Sequence, residues 1–181
     1  MSITKQKQQT SYLALAETFG YTSTMQGPRI QKVVISSGVG KKRDKKQLEL
    51  IEDRLAKITG QKPASRSAKT SIAAFKVREG DTVGLQITLR GARMYDFLDK
   101  LIHIAIPRTR DFRGLSPKAI DDMGNFTIGI KEHTIFPETS DEDLKDVFGF
   151  AITIVTTAHT KAEAEAFFRH IGVPFIVEAN K

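Results

Sequence analysis

A short glycine-rich segment is the first place where this sequence could bind a phosphate ligand. Gly38-Val39-Gly40-Lys41-Lys42 lies between a predicted strand and a predicted helix, as nucleotide-binding loops do. The phosphate loop of an NTPase needs two glycines five positions apart and a hydroxyl residue after the lysine, where this chain has Lys42. A dinucleotide-binding motif needs a third glycine in place of Arg43. The segment therefore does not predict a nucleotide site, although its backbone N–H groups and lysines suit the phosphate of a polymer.

Catalytic and metal-binding side chains form no recognisable pattern. The chain has no cysteine, which excludes disulfides, thiol catalysis and thiolate metal sites. No histidine has a second histidine or a carboxylate at metal-binding spacing, and no serine lies in a nucleophile elbow. The four histidines are His103, His133, His159 and His170. We therefore predict no catalytic site, no metal site and no cofactor, and we interpret the chain as a non-enzymatic protein.

Cationic side chains are mixed with hydroxyls or aromatic rings at three places. On two predicted strands, cations and hydroxyls share one face: Lys32, Ser36, Thr88 and Arg90. Two loops have the same character: Phe75, Lys76, Val77 and Arg78 in one, and Arg108, Arg110, Phe112 and Arg113 in the other. RNA-binding surfaces use cations for phosphates and flat groups for exposed bases. The pattern indicates RNA binding, and the alternative is an ordinary soluble surface rich in arginine and lysine.

Charge is segregated along the chain. The net charge is +7. Residues 1–120 carry 23 basic and 10 acidic side chains, a net of +13, whereas residues 121–181 carry 5 and 11, a net of −6. A basic body of this size favours a polyanionic partner. Five carboxylates fall within nine residues, opposed only by Lys145: Glu138, Asp141, Glu142, Asp143 and Asp146. This acidic segment suits a basic protein partner, and the alternative is a solvated loop in which Ser140 caps one acidic turn.

The elements that must position these side chains indicate an α+β fold. Helices are predicted at 4–19, from 44 to 59, from about 92 to 106 and from 160 to 171. Strands are predicted at 29–37, 82–90, 125–130 and 148–157. Short extended pieces are predicted near Arg66 and at 135–137. Two helices have capping-box starts, Asp44 with Gln47 and Thr160 with Glu163. Because several strands are close neighbours in sequence, we expect a largely antiparallel sheet with helices packed on one face, and a polar sheet face and loops that bind RNA.

Length and composition indicate one domain that does not enter a membrane. The 181 residues suit a single RNA-binding domain over 1–181, with an N-terminal helix at 4–19, a basic body to about residue 120 and an acidic C-terminal third at 121–181. No apolar run approaches the ~20 residues that a membrane span needs. The first ten residues contain no apolar signal core. A cytoplasmic protein is the simplest interpretation.

An ordered set of short blocks resembles the large-subunit ribosomal protein five family in its bacterial form. The block that resembles it most is Ile106-Pro107-Arg108-Thr109-Arg110-Asp111-Phe112-Arg113-Gly114-Leu115. Further blocks lie at 25–29, 37–40, 59–63, 74–80, 88–91, 124–126, 135–138 and 154–158. They keep the order of the family and cover about residues 12 to 175. The resemblance implies an antiparallel α+β fold and a structural role in the central protuberance of the large ribosomal subunit.

The resemblance also implies partners and sites. The implied partners are 5S rRNA, the large-subunit rRNA, the elbow of peptidyl-site tRNA, small-subunit protein thirteen across an intersubunit bridge, and neighbouring 5S-rRNA-binding ribosomal proteins. The 5S rRNA site is expected at Arg29, Lys32, Ser36, Gln61, Lys62, Arg66, Thr88 and Arg90. The tRNA-contacting loop is expected at Phe75, Lys76, Val77 and Arg78, further RNA or bridge contacts at Arg108, Arg110, Phe112 and Arg113, and the protein bridge at the acidic segment.

The chain departs from the family pattern at two of these positions. Ser36 stands where the family usually has asparagine, and its shorter hydroxyl suits a water-bridged rather than a direct RNA contact. Arg66 stands where a hydroxyl residue is common. The alternative to a ribosomal protein is a free-standing RNA-binding or RNA-chaperone module.

Overall fold

A computed structural model of the protein describes residues 2–40, 45–110, 112–139 and 147–176. Within these residues the helices are α1 (Ile3–Phe19), α2 (Lys45–Thr59), α3 (Gly91–Lys100), continued by a π-helical turn at Leu101–Ala105, and α4 (Lys161–Ile171). The strands are β1 (Ile30–Gly38), β2 (Ala64–Ser67), β3 (Thr82–Leu89), β4 (Phe126–Ile130) and β5 (Phe150–Thr156). The predicted α+β fold is therefore confirmed.

The five strands form one antiparallel sheet in the order β2-β3-β1-β5-β4. Backbone hydrogen bonds at the strand ends show the directions. The N–H of Val39, after β1, donates to the carbonyl of Val83 at the start of β3 over 2.9 Å. The N–H of Thr157, after β5, donates to the carbonyl of Arg29, before β1, over 3.0 Å. β2 pairs with β3 in an antiparallel register that places Ala64 opposite Gln86.

The chain divides into two compact units. The described residues of the first lie within 1–33, 90–128 and 153–181, and those of the second lie within 34–89 and 129–152. In the first unit, Phe168 of α4 packs on Phe126 of β4, with ring centroids 5.2 Å apart. In the second unit, α2 buries the apolar stripe that its sequence predicts, at Ile51, Leu55 and Ile58. The expectation of a single domain over 1–181 stays a prediction.

Polar contacts attach α1 to the rest of the first unit. The Asp99 carboxylate of α3 accepts hydrogen bonds from the backbone N–H groups of Ile3, at 2.9 Å, and Thr4, at 2.8 Å. A second contact joins α1 to α4, because the Lys7 ammonium donates to the carbonyl of Ile171 over 2.9 Å. Burial raises the pKa of Asp99, but hydrogen bonds from Ser2, Thr4 and Ile3 outweigh it and hold that pKa below its usual value. The carboxylate thus acts as a cap for α1 from a distant part of the chain.

One predicted helix start is confirmed, and one predicted extended piece is wrong. The Thr160 hydroxyl accepts a hydrogen bond from the Glu163 N–H over 3.3 Å, which is one half of the predicted capping box. The Glu163 carboxylate accepts from the N–H of His159, one residue earlier, over 2.8 Å. The Asp44 cap lies outside the described residues. Residues 135–137 form no strand, because Ile135 ends one 3-10 turn and Pro137 begins the next, and only Phe136 between them is extended. The N–H of Phe136 donates to the carbonyl of His133 over 3.1 Å and closes the first of these turns.

Candidate nucleic-acid interface

The sheet presents one polar face that carries no negative charge. Along the strands, alternate side chains are buried, as at Val33 and Ile35 of β1 and at Leu85 and Ile87 of β3. The side chains between them are half-buried or exposed. None of the five strands that the structure describes contains an aspartate or a glutamate. A face of this kind can approach a polyanion without bringing carboxylates near phosphate.

In the second unit, this polar face is organised around Arg66. The Arg66 Nε donates to the Gln86 side-chain oxygen over 2.7 Å, which fixes the guanidinium over β3. Gly84 lies directly opposite Arg66, and a Cβ at Gly84 would lie 3.3 Å from the Ser37 carbonyl oxygen. Thr88 is half-buried on the same face of β3, and Ser36 is exposed on β1. The strand pairing therefore brings a cation, an amide and two hydroxyls to one face.

The turn after α2 holds the next two predicted site residues. The Thr59 hydroxyl donates to the Leu55 carbonyl over 2.7 Å and accepts from the Gln61 N–H over 3.3 Å, so the turn is tied to the helix end. The Lys62 ammonium lies 3.2 Å from a Glu52 carboxylate oxygen, and its side chain is 83% exposed. Exposed ion pairs contribute only about 0–1 kcal/mol, so phosphate can replace Glu52 as the partner of Lys62 at little cost.

The remaining cations of the predicted 5S rRNA site, Arg29, Lys32 and Arg90, lie in the first unit. The backbone of Arg29 is held by Thr157, whose side-chain oxygen accepts from the Arg29 N–H over 3.0 Å, while the Arg29 side chain is exposed. Lys32 is half-buried on β1, and exposed Arg90 immediately precedes α3.

Three further polar side chains belong to the polar strand faces but are not among the predicted site residues. In the first unit, the hydroxyls of Thr127 on β4 and Thr153 on β5 lie 3.1 Å apart. In the second unit, Gln86 positions Arg66, as described above. Each of the three alternates with buried residues along its strand, and this alternation is the signal that could have identified them.

The loop that contains Phe75 stands out from the core of the second unit. Ile72 and Val77 form an antiparallel bridge, with N–H to carbonyl distances of 3.0 and 3.2 Å. Lys76 closes the tip with a φ of 52°, which non-glycine residues seldom adopt. Phe75 is 73% exposed, and both Lys76 and Arg78 are exposed. The loop thus projects an aromatic ring together with two cations, and Phe75 does not enter the core.

The arginine-rich loop follows the π-helical turn in the first unit. Arg108, Arg110 and Arg113 are exposed, and Phe112 is half-buried. The loop ends where Leu115 donates its N–H to the Pro174 carbonyl over 2.8 Å and accepts from the Ile176 N–H over 2.9 Å. Gly114 has a φ of 104°, and a Cβ there would lie 2.8 Å from the Ile176 nitrogen, so only glycine fits.

The acidic segment is only partly described. Glu138 is exposed in the 3-10 turn Pro137–Thr139. The other members, Asp141, Glu142, Asp143 and Asp146, lie outside the described residues.

Membrane-spanning and metal-binding features do not occur among the described residues. No helix there is both long and apolar enough to cross a bilayer. The same part of the chain contains no group of three histidine, cysteine, aspartate or glutamate side chains that could hold a metal ion.

Comparison with known proteins shows which family this sequence is similar to. Residues 23–78 match the family model for ribosomal protein L5, and residues 82–175 match the model for the C-terminus of the same ribosomal protein family. The large ribosomal subunit protein uL5 of Heliobacterium modesticaldum is 47% identical over 98% of this chain and 100% of its own length. The uL5 of Ureaplasma urealyticum is 50% identical over 89% of this chain and 88% of its own.

The similarity extends to other bacterial groups. The uL5 of Thermoanaerobacter sp. is 50% identical over 90% of this chain and 91% of its own length. A family model matches more than half of the chain by itself, and the relatives align along nearly all of it. This chain therefore belongs to the ribosomal protein L5 family of the large ribosomal subunit, which confirms its interpretation as a non-enzymatic ribosomal protein.

Proposed function

We propose that this chain binds 5S rRNA and helps to attach it to the large rRNA in the central protuberance. The observation that carries the proposal is the polar sheet face without carboxylates, in a chain of the ribosomal protein L5 family. The cations that would meet phosphate are Arg29, Lys32, Lys62, Arg66 and Arg90, and the groups that would meet base edges or sugars are Ser36, Gln61 and Thr88.

The contacts within the second unit support this proposal in detail. Gln86 engages only the Nε of Arg66 in the contact described above, so the terminal guanidinium nitrogens can donate to a phosphate in a fixed orientation. The pairing of Lys62 with Glu52 is solvent-exposed, so Lys62 can exchange that partner for a phosphate. The arginine-rich loop adds Arg108, Arg110 and Arg113 as contacts to RNA outside the sheet face.

Selective binding tests the proposal. The full-length chain should bind a 5S rRNA transcript much more tightly than an elongator tRNA of similar charge, at about 150 mM salt. Equal affinity for the two RNAs would contradict it. A free-standing RNA chaperone, the alternative, would not co-sediment with the large subunit at near-unit stoichiometry after a modest salt wash, whereas a ribosomal component would.

We infer a second role for the loop Ser71–Asp81, which would contact the elbow of peptidyl-site tRNA. The exposed Phe75 ring and the exposed side chains of Lys76 and Arg78 support this role, because such a tip can meet bases and phosphates together. The loop belongs to the second unit and projects from it through the Ile72–Val77 bridge.

A third role, an intersubunit bridge to small-subunit protein thirteen, is proposed for the acidic segment. Its support is the charge pattern of the sequence, since residues 138–146 contain five carboxylates and a single lysine. A basic protein surface is the partner that such a segment fits best. Neighbouring 5S-rRNA-binding proteins complete the expected set of partners.

A further inference from the structure

A cleft of about 390 Å³ lies in the first unit between α1 and the segment that leads into β1. Two large apolar side chains at its walls are unusually open to solvent: Leu13 is 75% exposed and Met25 is 78% exposed. Apolar side chains that are exposed together at a concave site indicate that something covers them in the functional state. Of the residues that line this cleft, only Arg29 belongs to a role proposed above.

The cleft is built rigidly. Gly27 packs on α1, and a Cβ there would lie in van der Waals contact with the Tyr12 Cβ, at 3.4 Å. The Gln8 side-chain oxygen accepts a hydrogen bond from the Ile30 N–H over 3.1 Å, and that of Gln26 accepts from the Thr22 N–H over 2.8 Å. A cleft held in this way binds a ligand without a large entropic cost for ordering its walls.

An aromatic wall strengthens this rigidity. The Tyr12 ring, which lines the cleft, stacks on Tyr21 with centroids 6.4 Å apart and an interplanar angle of 22°. Tyr21 in turn stacks on Phe19 at 6.1 Å. Burial, and then the hydrogen bond to Glu163, raises the pKa of Tyr21.

The chemistry of the lining identifies the kind of occupant. Besides the apolar groups, the cleft presents the amides of Gln8 and Gln9 and the guanidinium of Arg29, and its described lining includes no carboxylate. Amides offer donors and acceptors to the edge of a base, apolar and aromatic groups cover its face, and arginine pairs with phosphate. Arg29 also immediately precedes β1, which carries Lys32, so the cleft is continuous with the proposed RNA face of the first unit.

We propose that this cleft receives one unstacked base of the bound RNA. The base lies against Met25 and Leu13, its edge meets the amide of Gln9, and its phosphate pairs with Arg29. This inference rests on the proposed 5S rRNA binding and adds to it a site for a single extruded nucleotide. A protein segment is the other class of occupant, and the experiment below separates the two.

The test uses the full-length chain, a 5S rRNA transcript and the double variant Leu13→Ala with Met25→Ala. The matched control is Met123→Ala, because Met123 is 73% exposed in the same unit and does not line the cleft. We expect the double variant to bind about tenfold more weakly, because the base no longer buries the apolar surface of Leu13 and Met25. Its salt slope should equal that of the wild type, because no phosphate contact is removed.

Chemical probing of base edges identifies the occupant directly. One unpaired base should be protected in complexes of the wild type and of Met123→Ala, and reactive again in the complex of the double variant. Wild-type affinity and an unchanged protection pattern in the double variant would overturn the inference, and would leave a protein segment as the occupant. A loss of affinity without any deprotected base would overturn it as well. If the wild type itself fails to prefer 5S rRNA over tRNA, the proposed function fails first, and the two failures are thus distinguishable.

Discussion

At the scale of single residues, the strand-face cations differ in how they are held. Arg66 is fixed by Gln86, whereas Lys32 is half-buried on β1 and Arg90 is exposed immediately before α3. We predict that Lys32→Gln and Arg90→Gln each weaken binding to 5S rRNA and lower the salt slope by about one, since each removes one phosphate contact. Binding isotherms over a salt series measure both quantities. Lys161→Gln, on α4, is the control, and unchanged affinity and slope in both test variants would refute the prediction.

A second residue-scale prediction concerns Asp99, which caps α1. Asp99→Asn should lower the free energy of unfolding by about 1 kcal/mol at pH 7, because a charged acceptor at a helix N-terminus is replaced by a neutral one. Exposed Asp96→Asn on the same helix is the control and should change little. Thermal unfolding at pH 7 measures the difference in stability. Equal stability of Asp99→Asn and the wild type would contradict the prediction.

The pH dependence of the same contact has a definite sign. The folded-state pKa of Asp99 is lowered, so its contribution is fully present above the unfolded-state value of about 3.9. It is lost as the pH falls through the lower, folded-state pKa. The stability difference between the wild type and Asp99→Asn should therefore shrink on acidification below about pH 4.

At the scale of elements, the loop between β2 and β3 allows the proposed tRNA contact to be tested separately from 5S rRNA binding. Deleting residues 74–79 should leave 5S rRNA binding intact and weaken the binding of peptidyl-site tRNA to ribosomes, because the tip with Phe75 is exposed and lies outside the strands. Filter binding of tRNA to reconstituted ribosomes measures the second effect. Phe75→Ala is the milder companion variant and should not affect stability by more than about 0.5 kcal/mol. Loss of 5S rRNA binding on deletion would instead assign the loop to the rRNA site.

Elements were the part of the fold that sequence patterns could predict. The alternation of Leu85, Ile87 and Leu89 and the helical spacing of Ile51 and Leu55 are local, so each predicts its element and its buried face. Contacts between distant segments could not be predicted in this way. The register that places Arg66 beside Gln86 and the cap that Asp99 provides to α1 depend on tertiary packing, which no local period encodes.

The same distinction holds for the candidate site. Single side chains with the right chemistry were found because charge and alternation are visible in the sequence. The cleft with Leu13 and Met25 was not found, because it depends on the tertiary packing of Gly27 against Tyr12. The 3-10 turns at 133–139 were missed for a similar reason, since hydrogen bonds from Thr139 to the carbonyls of His133 and Phe136 stabilise them.

At the scale of the whole molecule, the division of the chain into two compact units falls within three strands. β1 has residues 30–33 in the first unit and 34–38 in the second, and β4 and β5 also contribute to both. We predict a single cooperative unfolding transition, because unfolding one unit alone would break three strands in their middle. Far-ultraviolet circular dichroism and intrinsic tyrosine fluorescence should give the same midpoint. Two separate midpoints would show that the chain folds as two domains.

The charge segregation of the whole chain leads to the last prediction. RNA should avoid the acidic segment, which lies in a C-terminal third of net charge −6, and this segment should instead meet a basic protein across the subunit interface. We predict that the triple variant Asp141→Asn, Glu142→Gln and Asp143→Asn weakens subunit association several-fold at moderate magnesium and leaves 5S rRNA binding unchanged. Exposed ion pairs contribute about 0–1 kcal/mol each, so the effect should be modest and should vanish at high salt.

A matched charge control makes this prediction specific to the segment. The variant Glu17→Gln, Asp96→Asn and Asp122→Asn removes three exposed carboxylates elsewhere and should associate as the wild type does. Light scattering of mixed subunits over a salt series measures association for all three proteins. If the acidic-segment variant associates like the wild type at every salt concentration, the bridge does not lie in this segment. A weak contact is what a bridge needs if it must re-form as the subunits rotate, because a pair bound by many kcal/mol would oppose that movement.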